Sequence, residues 1–79
     1  MLVKRAQITE GERLAFEQAV RSCGREPGEF RLEAFTAWSA STLRSVHVAT
    51  RSSAAQYEAS EGRAWTVKFA EHLARGCFR

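Results

Sequence analysis

The sequence predicts a small α+β domain with the element order α-β-β-β-α, in which two helices pack on one face of a three-stranded antiparallel sheet. A capped helical pattern opens at Thr9, a second helical pattern ends at Gly76, and residues 28–60 between them mostly alternate with a period of two. The 79 residues form a single domain, 1–79, and residues 1–8 are an N-terminal tail or a short extended segment.

The first helix has the clearest boundaries. Thr9 and Glu12 have the spacing of a capping box, in which each side chain accepts a hydrogen bond from the other residue's backbone N–H. Phe16 and Val20 then recur at helical spacing and form an inward stripe. Gly24 is placed to end the helix in the left-handed conformation that glycine tolerates.

Residues 30–38 form the first predicted strand. Phe30, Leu32 and Ala34 fall on alternate positions, which is the period of a half-buried strand. The alternative is a helix that begins near Pro27 and places Phe30, Ala34, Phe35 and Trp38 on one face. We favour the strand because the segment Ser39-Ala40-Ser41-Thr42 would break such a helix soon after.

Two further strands follow. Leu43–Arg51 is the clearest, because Val46, Val48 and Thr50 are β-branched and alternate with smaller or polar residues. Ser52-Ser53 forms the turn. Residues 55–59 form the last strand, which Ser60-Glu61-Gly62 ends.

The final segment is predicted to be a helix. Trp65, Val67 and Phe69 alternate as in a strand, but Trp65, Phe69 and Leu73 also lie at helical spacing. Strong helix formers between them and the stop at Gly76 favour the helix. The predicted core lies between both helices and the sheet: Phe16, Val20, Leu32, Val46, Val48, Tyr57, Trp65, Phe69 and Leu73.

This order of elements resembles that of double-stranded-RNA-binding domains, in topology alone. Those domains carry a Gly-Pro-x-His-like loop between their first strands and a Lys-rich start to the last helix. Here the loop is Ser39-Ala40-Ser41-Thr42, and the helix opens with Arg63-Ala64-Trp65-Thr66-Val67-Lys68. Both departures remove groups that would bridge phosphates across grooves.

Composition narrows the chemistry. All nine acidic residues are glutamates, so sites that require aspartate, such as EF-hand loops, are excluded. The two histidines and two cysteines have no metal-ligand spacing, and we predict no metal, no cofactor and no catalytic residue. The net charge of +3 is spread along the chain, and it comes mainly from arginine in an alanine-rich composition that codon bias alone can produce.

Neither a signal peptide nor a membrane-spanning segment is predicted. The N-terminus lacks a sufficiently long apolar run, and no segment approaches the roughly 20 apolar residues of a membrane helix. We therefore expect a cytoplasmic protein that does not act at membranes, and its thiols should stay reduced there.

The middle of the chain, residues 34–57, is predicted to form the surface best suited to bind a partner. Residues 34–57 contain no acidic side chain but eight serines and threonines. The candidate contact face comprises Arg44, Ser45, His47 and Arg51, together with the aromatic residues Phe35 and Trp38. Because one face of the sheet is left uncovered, we expect a non-enzymatic binding or accessory protein that acts through protein contacts, with self-association as one form. Weak nucleic-acid binding through the basic residues is the alternative, and an enzyme is the second alternative.

Overall fold

The computed structural model describes residues 2–38, 42–59 and 64–78, except for the side chains of Leu2, Trp38 and Thr42. It confirms an α+β domain with an antiparallel sheet and two helices. The elements are β1 (Leu2–Ala6), α1 (Glu10–Ser22), a 3₁₀ turn (Pro27–Glu29), β2 (Arg31–Trp38), β3 (Thr42–Ala49), β4 (Ala54–Glu58) and α2 (Trp65–Ala74). The predicted loop was Ser39-Ala40-Ser41-Thr42, but Thr42 belongs to β3, where it pairs with Trp38. Residues 39–41 and the predicted strand end at 60–62 lie outside the described residues.

The sheet has four strands and not three, in the order β1-β2-β3-β4. The additional strand is β1, which pairs antiparallel with β2 from Leu2 opposite Trp38 to Ala6 opposite Ala34. Its charged sequence carries no strand pattern, so only the backbone pairing with β2 defines it. Exposed Lys4 and Arg5 are typical of an edge strand that must avoid pairing with other chains. This strand also departs from the α-β-β-β-α order on which the likeness to double-stranded-RNA-binding domains rests.

The prediction of a strand over residues 30–38 is confirmed, and the alternative helix is wrong. All eight residues of β2 pair with β3, from Arg31 opposite Ala49 to Trp38 opposite Thr42. Because β2 lies between β1 and β3, its backbone groups find partners on both sides, which stabilises the extended conformation over a local helix.

The predicted helix boundaries are also confirmed. At the start of α1, the Glu12 N–H donates to Thr9 Oγ1 at 3.2 Å, and the Thr9 N–H donates to Glu12 Oε1 at 2.9 Å. Gly24 and Gly76 follow the two helices with φ of 74° and 79°, a conformation that strains any residue with a side chain.

The two helices run parallel to each other across one face of the sheet. The ring centroids of Phe16 and Phe69 are 5.1 Å apart, and Glu12 contacts Trp65 one turn earlier in both helices. Eight of the nine predicted core residues are buried, and Leu32 is partly buried against them. The core also includes three residues that the sequence analysis did not place there: Ala34, Ala59 and Phe78.

Candidate contact surface on the open face of the sheet

Strand alternation divides the sheet side chains between two faces. Ala34, Val46 and Tyr57 lie opposite one another on adjacent strands, and all three are buried beneath the helices. Their neighbours along each strand therefore point to the other side, which no described element covers. We call this side the open face; its side chains come from Val3, Arg5, Arg31, Glu33, Phe35, Ala37, Leu43, Ser45, His47, Ala49, Ala54, Gln56 and Glu58.

Apolar side chains gather at one end of the open face. Val3 on β1, Ala37 on β2 and Leu43 on β3 are direct cross-strand neighbours. Val3 is 56% exposed and Leu43 is 47% exposed, although both are large and apolar. Together with Phe35 they line a shallow depression of about 740 Å³.

Phe35 and His47 form the centre of the open face. Their ring centroids are 5.0 Å apart and the ring planes are at 72°, which is the edge-to-face arrangement that aromatic pairs favour. His47 Nε2 lies 3.5 Å from Ser45 Oγ on the same face. Of the predicted contact residues, Phe35, Ser45 and His47 are thus brought together.

Arg44 lies on the opposite face of the sheet, under α1. Its Nη1 and Nη2 donate to Glu12 Oε2 and Oε1 at 2.7 and 2.8 Å, and Nη2 also donates to the Gln7 carbonyl oxygen at 2.7 Å. Residues 44 and 46 share a face because a strand alternates, and Val46 is buried. Arg44 is therefore separated from Ser45 and His47 by the sheet.

The Glu12 carboxylate receives four hydrogen bonds in this arrangement. Besides the two from Arg44 and one from the Thr9 N–H, the Trp65 indole Nε1–H donates to Oε2 at 2.9 Å. The Arg44 hydrogen bonds are the main cause that lowers the pKa of Glu12 to about 2, with further lowering from Thr9 and Trp65, while partial burial opposes it.

Arg51 and Trp38 also fall outside the centre of the open face. Arg51 follows the end of β3 and lies in the β3–β4 turn, where Thr50 organises the backbone through the Ser52 and Ser53 N–H groups. The side chain of Trp38 is outside the described part of the molecule. The structure thus does not gather Arg44, His47 and Arg51 into one basic surface.

A separate cleft of about 540 Å³ lies between β4 and α2. At its base the Tyr57 hydroxyl lies 2.9 Å from His72 Nδ1, and Trp65, Lys68 and Glu71 line it. Burial, with a smaller contribution from nearby Cys77, raises the pKa of the Tyr57 phenol to about 12. The hydroxyl thus remains protonated near neutral pH, and its hydrogen bond to His72 satisfies a buried polar group.

Cys23 and Cys77 are both exposed and not disulfide-bonded. Within the described residues, no three histidine, cysteine or glutamate side chains come close enough to hold a metal ion. Neither α1 nor α2 is long and apolar enough to cross a membrane.

No protein-family model, curated protein or solved structure matches this chain. The candidate contact surface is therefore identified only from the exposure, contacts and chemistry of its residues.

The sequence analysis did not include the apolar residues Val3, Ala37 and Leu43 of the open face among the contact residues. Val3 was overlooked because β1 was not recognised as a strand. Ala37 lies two residues after Phe35, and Leu43 lies two residues before Ser45. Side chains two apart in a strand share a face, so the sequence alone could have placed both on the open face. Only the strand register shows that the three side chains are neighbours.

Proposed function

We propose that this chain is a small, non-enzymatic binding protein of the cytoplasm that acts through protein contacts made by the open face, including contacts between its own copies. The observation that supports this most directly is the row of Val3, Ala37 and Leu43. Full burial of a valine or leucine side chain is worth about 1.5–3 kcal/mol. A folded protein that leaves two such side chains about half exposed in one row, on either side of Ala37, gains part of this free energy when they are covered.

The surroundings of this row also support a contact surface. Arg5 on the edge strand β1 pairs with Glu33 on β2, Glu58 lies on the other edge strand, β4, and Phe35 is close to the centre. Apolar residues beside polar and charged ones are usual in a protein interface. Exposed thiols at Cys23 and Cys77 fit a reducing compartment such as the cytoplasm.

Nucleic-acid binding has less support. Arg44 is bound to Glu12 on the helix side, so it cannot reach a phosphate from the face that carries His47. Arg51 remains exposed at the β3–β4 turn.

The test is sedimentation of the wild-type chain over a wide concentration range, beside Leu43→Glu and Val67→Glu. Val67 is 60% exposed on α2, away from the open face, and is the matched control. We expect the mass of the wild type and of Val67→Glu to rise with concentration, and Leu43→Glu to remain a monomer. A wild type that stays monomeric at millimolar concentration would contradict self-association. An equal effect of both substitutions would show that the open face is not the contact surface.

A further inference from the structure

β4 lies at one edge of the sheet, and its pairing with β3 decides which of its backbone groups remain available. In an antiparallel ladder, hydrogen-bonded residue pairs alternate with pairs that are not bonded to each other. The Ala59 N–H donates to the Arg44 carbonyl oxygen at 2.8 Å, and these two residues continue the β3–β4 register. The next hydrogen-bonded pair of the ladder is therefore Val46 with Tyr57.

The backbone of Gln56 faces the free edge as a result. Tyr57 and Ala55 direct their N–H and carbonyl groups toward β3. The residues that alternate with them, Ala54 and Gln56, direct theirs to the other side. Neither of these two has a backbone hydrogen bond to a loop or helix within residues 2–38, 42–59 and 64–78. This edge thus presents donors and acceptors at the spacing that one further strand requires.

The two edges of the sheet differ in composition. β1 carries Lys4 and Arg5, and charged side chains on an edge strand oppose pairing with another chain. β4, over Ala54–Glu58, contains no lysine, arginine or proline and consists mostly of alanine and glutamine. Of the two edges, β4 is therefore the one that can accept an additional strand.

The cleft between β4 and α2 adjoins this edge. Gln56, whose backbone groups face the edge, lines the cleft together with Tyr57, so the cleft opens there. On the α2 side it is lined by Val67, which is 60% exposed although it is apolar. Its volume of about 540 Å³ is within the range of protein binding sites.

Two opposite charges stand on the α2 wall of the cleft. Lys68 and Glu71 are exposed, and neither side chain has an ion pair or hydrogen bond within the part of the chain that the structure describes. Residues three apart on a helix have Cβ atoms about 5–6 Å apart. Every second residue of a strand is about 7 Å further along, so two successive cleft-facing side chains of an added strand can reach both charges.

We infer that β4 binds an extended peptide segment of another protein, which adds a fifth strand to the sheet and places alternate side chains in the cleft beside α2. An apolar side chain of the peptide covers Val67, an acidic one pairs with Lys68, and a basic one pairs with Glu71. The backbone groups of Ala54 and Gln56 hold the peptide backbone. This site is separate from the open face and does not depend on self-association there.

A second copy of the chain fits this edge less well. If β4 paired with β4 of another copy, the side chains offered to each cleft would be those of Ala55 and Tyr57. Tyr57 is 4% exposed, and its hydroxyl lies 2.9 Å from His72 Nδ1, so it is already part of its own core. Such a dimer would leave the cleft beside α2 without a side chain that fills it.

Two blocked heptapeptides test the site. Each has leucine, glutamate and lysine at its second, fourth and sixth positions with threonine between, and the two have opposite orders because an added strand can run in either direction. In an NMR titration we expect one order to bind at least several-fold more tightly and to shift the amide signals of Ala54 and Gln56. Equal affinities would contradict the pairing with Lys68 and Glu71. No binding of either peptide at millimolar concentration would overturn the proposal.

Methylation of peptide nitrogens distinguishes strand addition from other modes of binding. Alternate N–H groups of a strand face the same side, so N-methyl groups on one alternate set block pairing with β4 and those on the other set do not. We expect one set to reduce the affinity of the better peptide about tenfold or more and the other set to change it little. Equal effects of the two sets would overturn the added strand.

Variants and amide hydrogen exchange test the chain's own side of the site. Val67→Glu should weaken peptide binding at least several-fold, and Leu14→Glu, at a 50% exposed site on α1, is the matched control that should not. Without peptide, the Gln56 amide should exchange with solvent faster than the Tyr57 amide, and bound peptide should slow it. Slow exchange of Gln56 that appears only at high protein concentration would assign the edge to a second copy. Slow exchange at every concentration would show that the chain covers its own edge, and either result would overturn the proposal.

Discussion

Glu12 and Arg44 form a bidentate ion pair that connects the first turn of α1 to the third residue of β3, 32 positions later in the chain. The same carboxylate completes the capping box with Thr9 and accepts the indole N–H of Trp65 at the start of α2. One side chain therefore both caps its own helix and holds the sheet and the second helix in place.

Removal of Arg44 should destabilise the domain. In Arg44→Ala the Glu12 carboxylate, whose side chain is only 20% exposed, loses its cation and two of its four hydrogen bonds. We expect the free energy of unfolding to fall by about 2 kcal/mol, as for other charged groups left without a partner. Urea denaturation measures this value.

Arg13→Ala is the matched control for this substitution. Arg13 pairs with Glu10 on the exposed surface of α1, where solvent screens the two charges, so its removal should change the free energy of unfolding much less. Equal losses in the two variants would contradict the anchoring role of the Glu12–Arg44 pair.

Stability should fall in acid because of Glu12. Its pKa is lowered from 4.5 to about 2, so the folded state holds the charged form more strongly than the unfolded state does. This contribution is fully present above pH 4.5 and is lost as the pH falls toward 2. We expect urea denaturation to give a wild type more stable than Glu12→Gln at neutral pH, and the difference to shrink below pH 4.5. A difference that is independent of pH would show that the charge of Glu12 is not responsible.

Tyr57 can be titrated directly because it is the only tyrosine of the chain. We expect the ultraviolet absorbance of tyrosinate to appear with a midpoint near pH 12 in the folded protein, because burial raises the pKa of this phenol. An unfolded chain titrates near pH 10, so stability should decline as the pH rises above 10. A midpoint near 10 in a sample that circular dichroism shows to be folded would contradict the buried position of Tyr57.

Phe78 should contribute strongly to stability although it is the penultimate residue. The residue is 4% exposed, and its ring centroid lies 5.8 and 5.3 Å from those of Phe30 and Phe69. Its carbonyl oxygen accepts a hydrogen bond from Arg25. We expect Phe78→Ala to lower the free energy of unfolding by about 3 kcal/mol, as in other aromatic cores. Val67→Ala, at an exposed site, should change it by less than about 0.5 kcal/mol. Equal urea midpoints for the two variants would contradict this.

Much of the fold was predictable because its signals are local. The capping box of Thr9 and Glu12 and the glycines at 24 and 76 act over a few residues, and the structure confirms all of them. The alternation of apolar residues in β2 also predicted a strand correctly, although a helix was the alternative for the same segment. Only some of the predicted contact residues lie together. Phe35 and His47 are in contact on the open face, whereas Arg44 lies on the face that the helices cover.

The amino-acid pattern alone established two helices, three of the four strands and nearly the whole core, because helix caps, glycine stops and the period of alternation depend on near neighbours. Tertiary pairing added β1, placed Phe78 in the core, and assigned Arg44 and His47 to opposite faces. These features depend on residues about 30 to 60 positions apart, such as Arg5 with Phe35, Arg44 with Glu12 and Phe78 with Phe30. The partners become neighbours only when the strands take their register and the helices pack, so no local pattern encodes them.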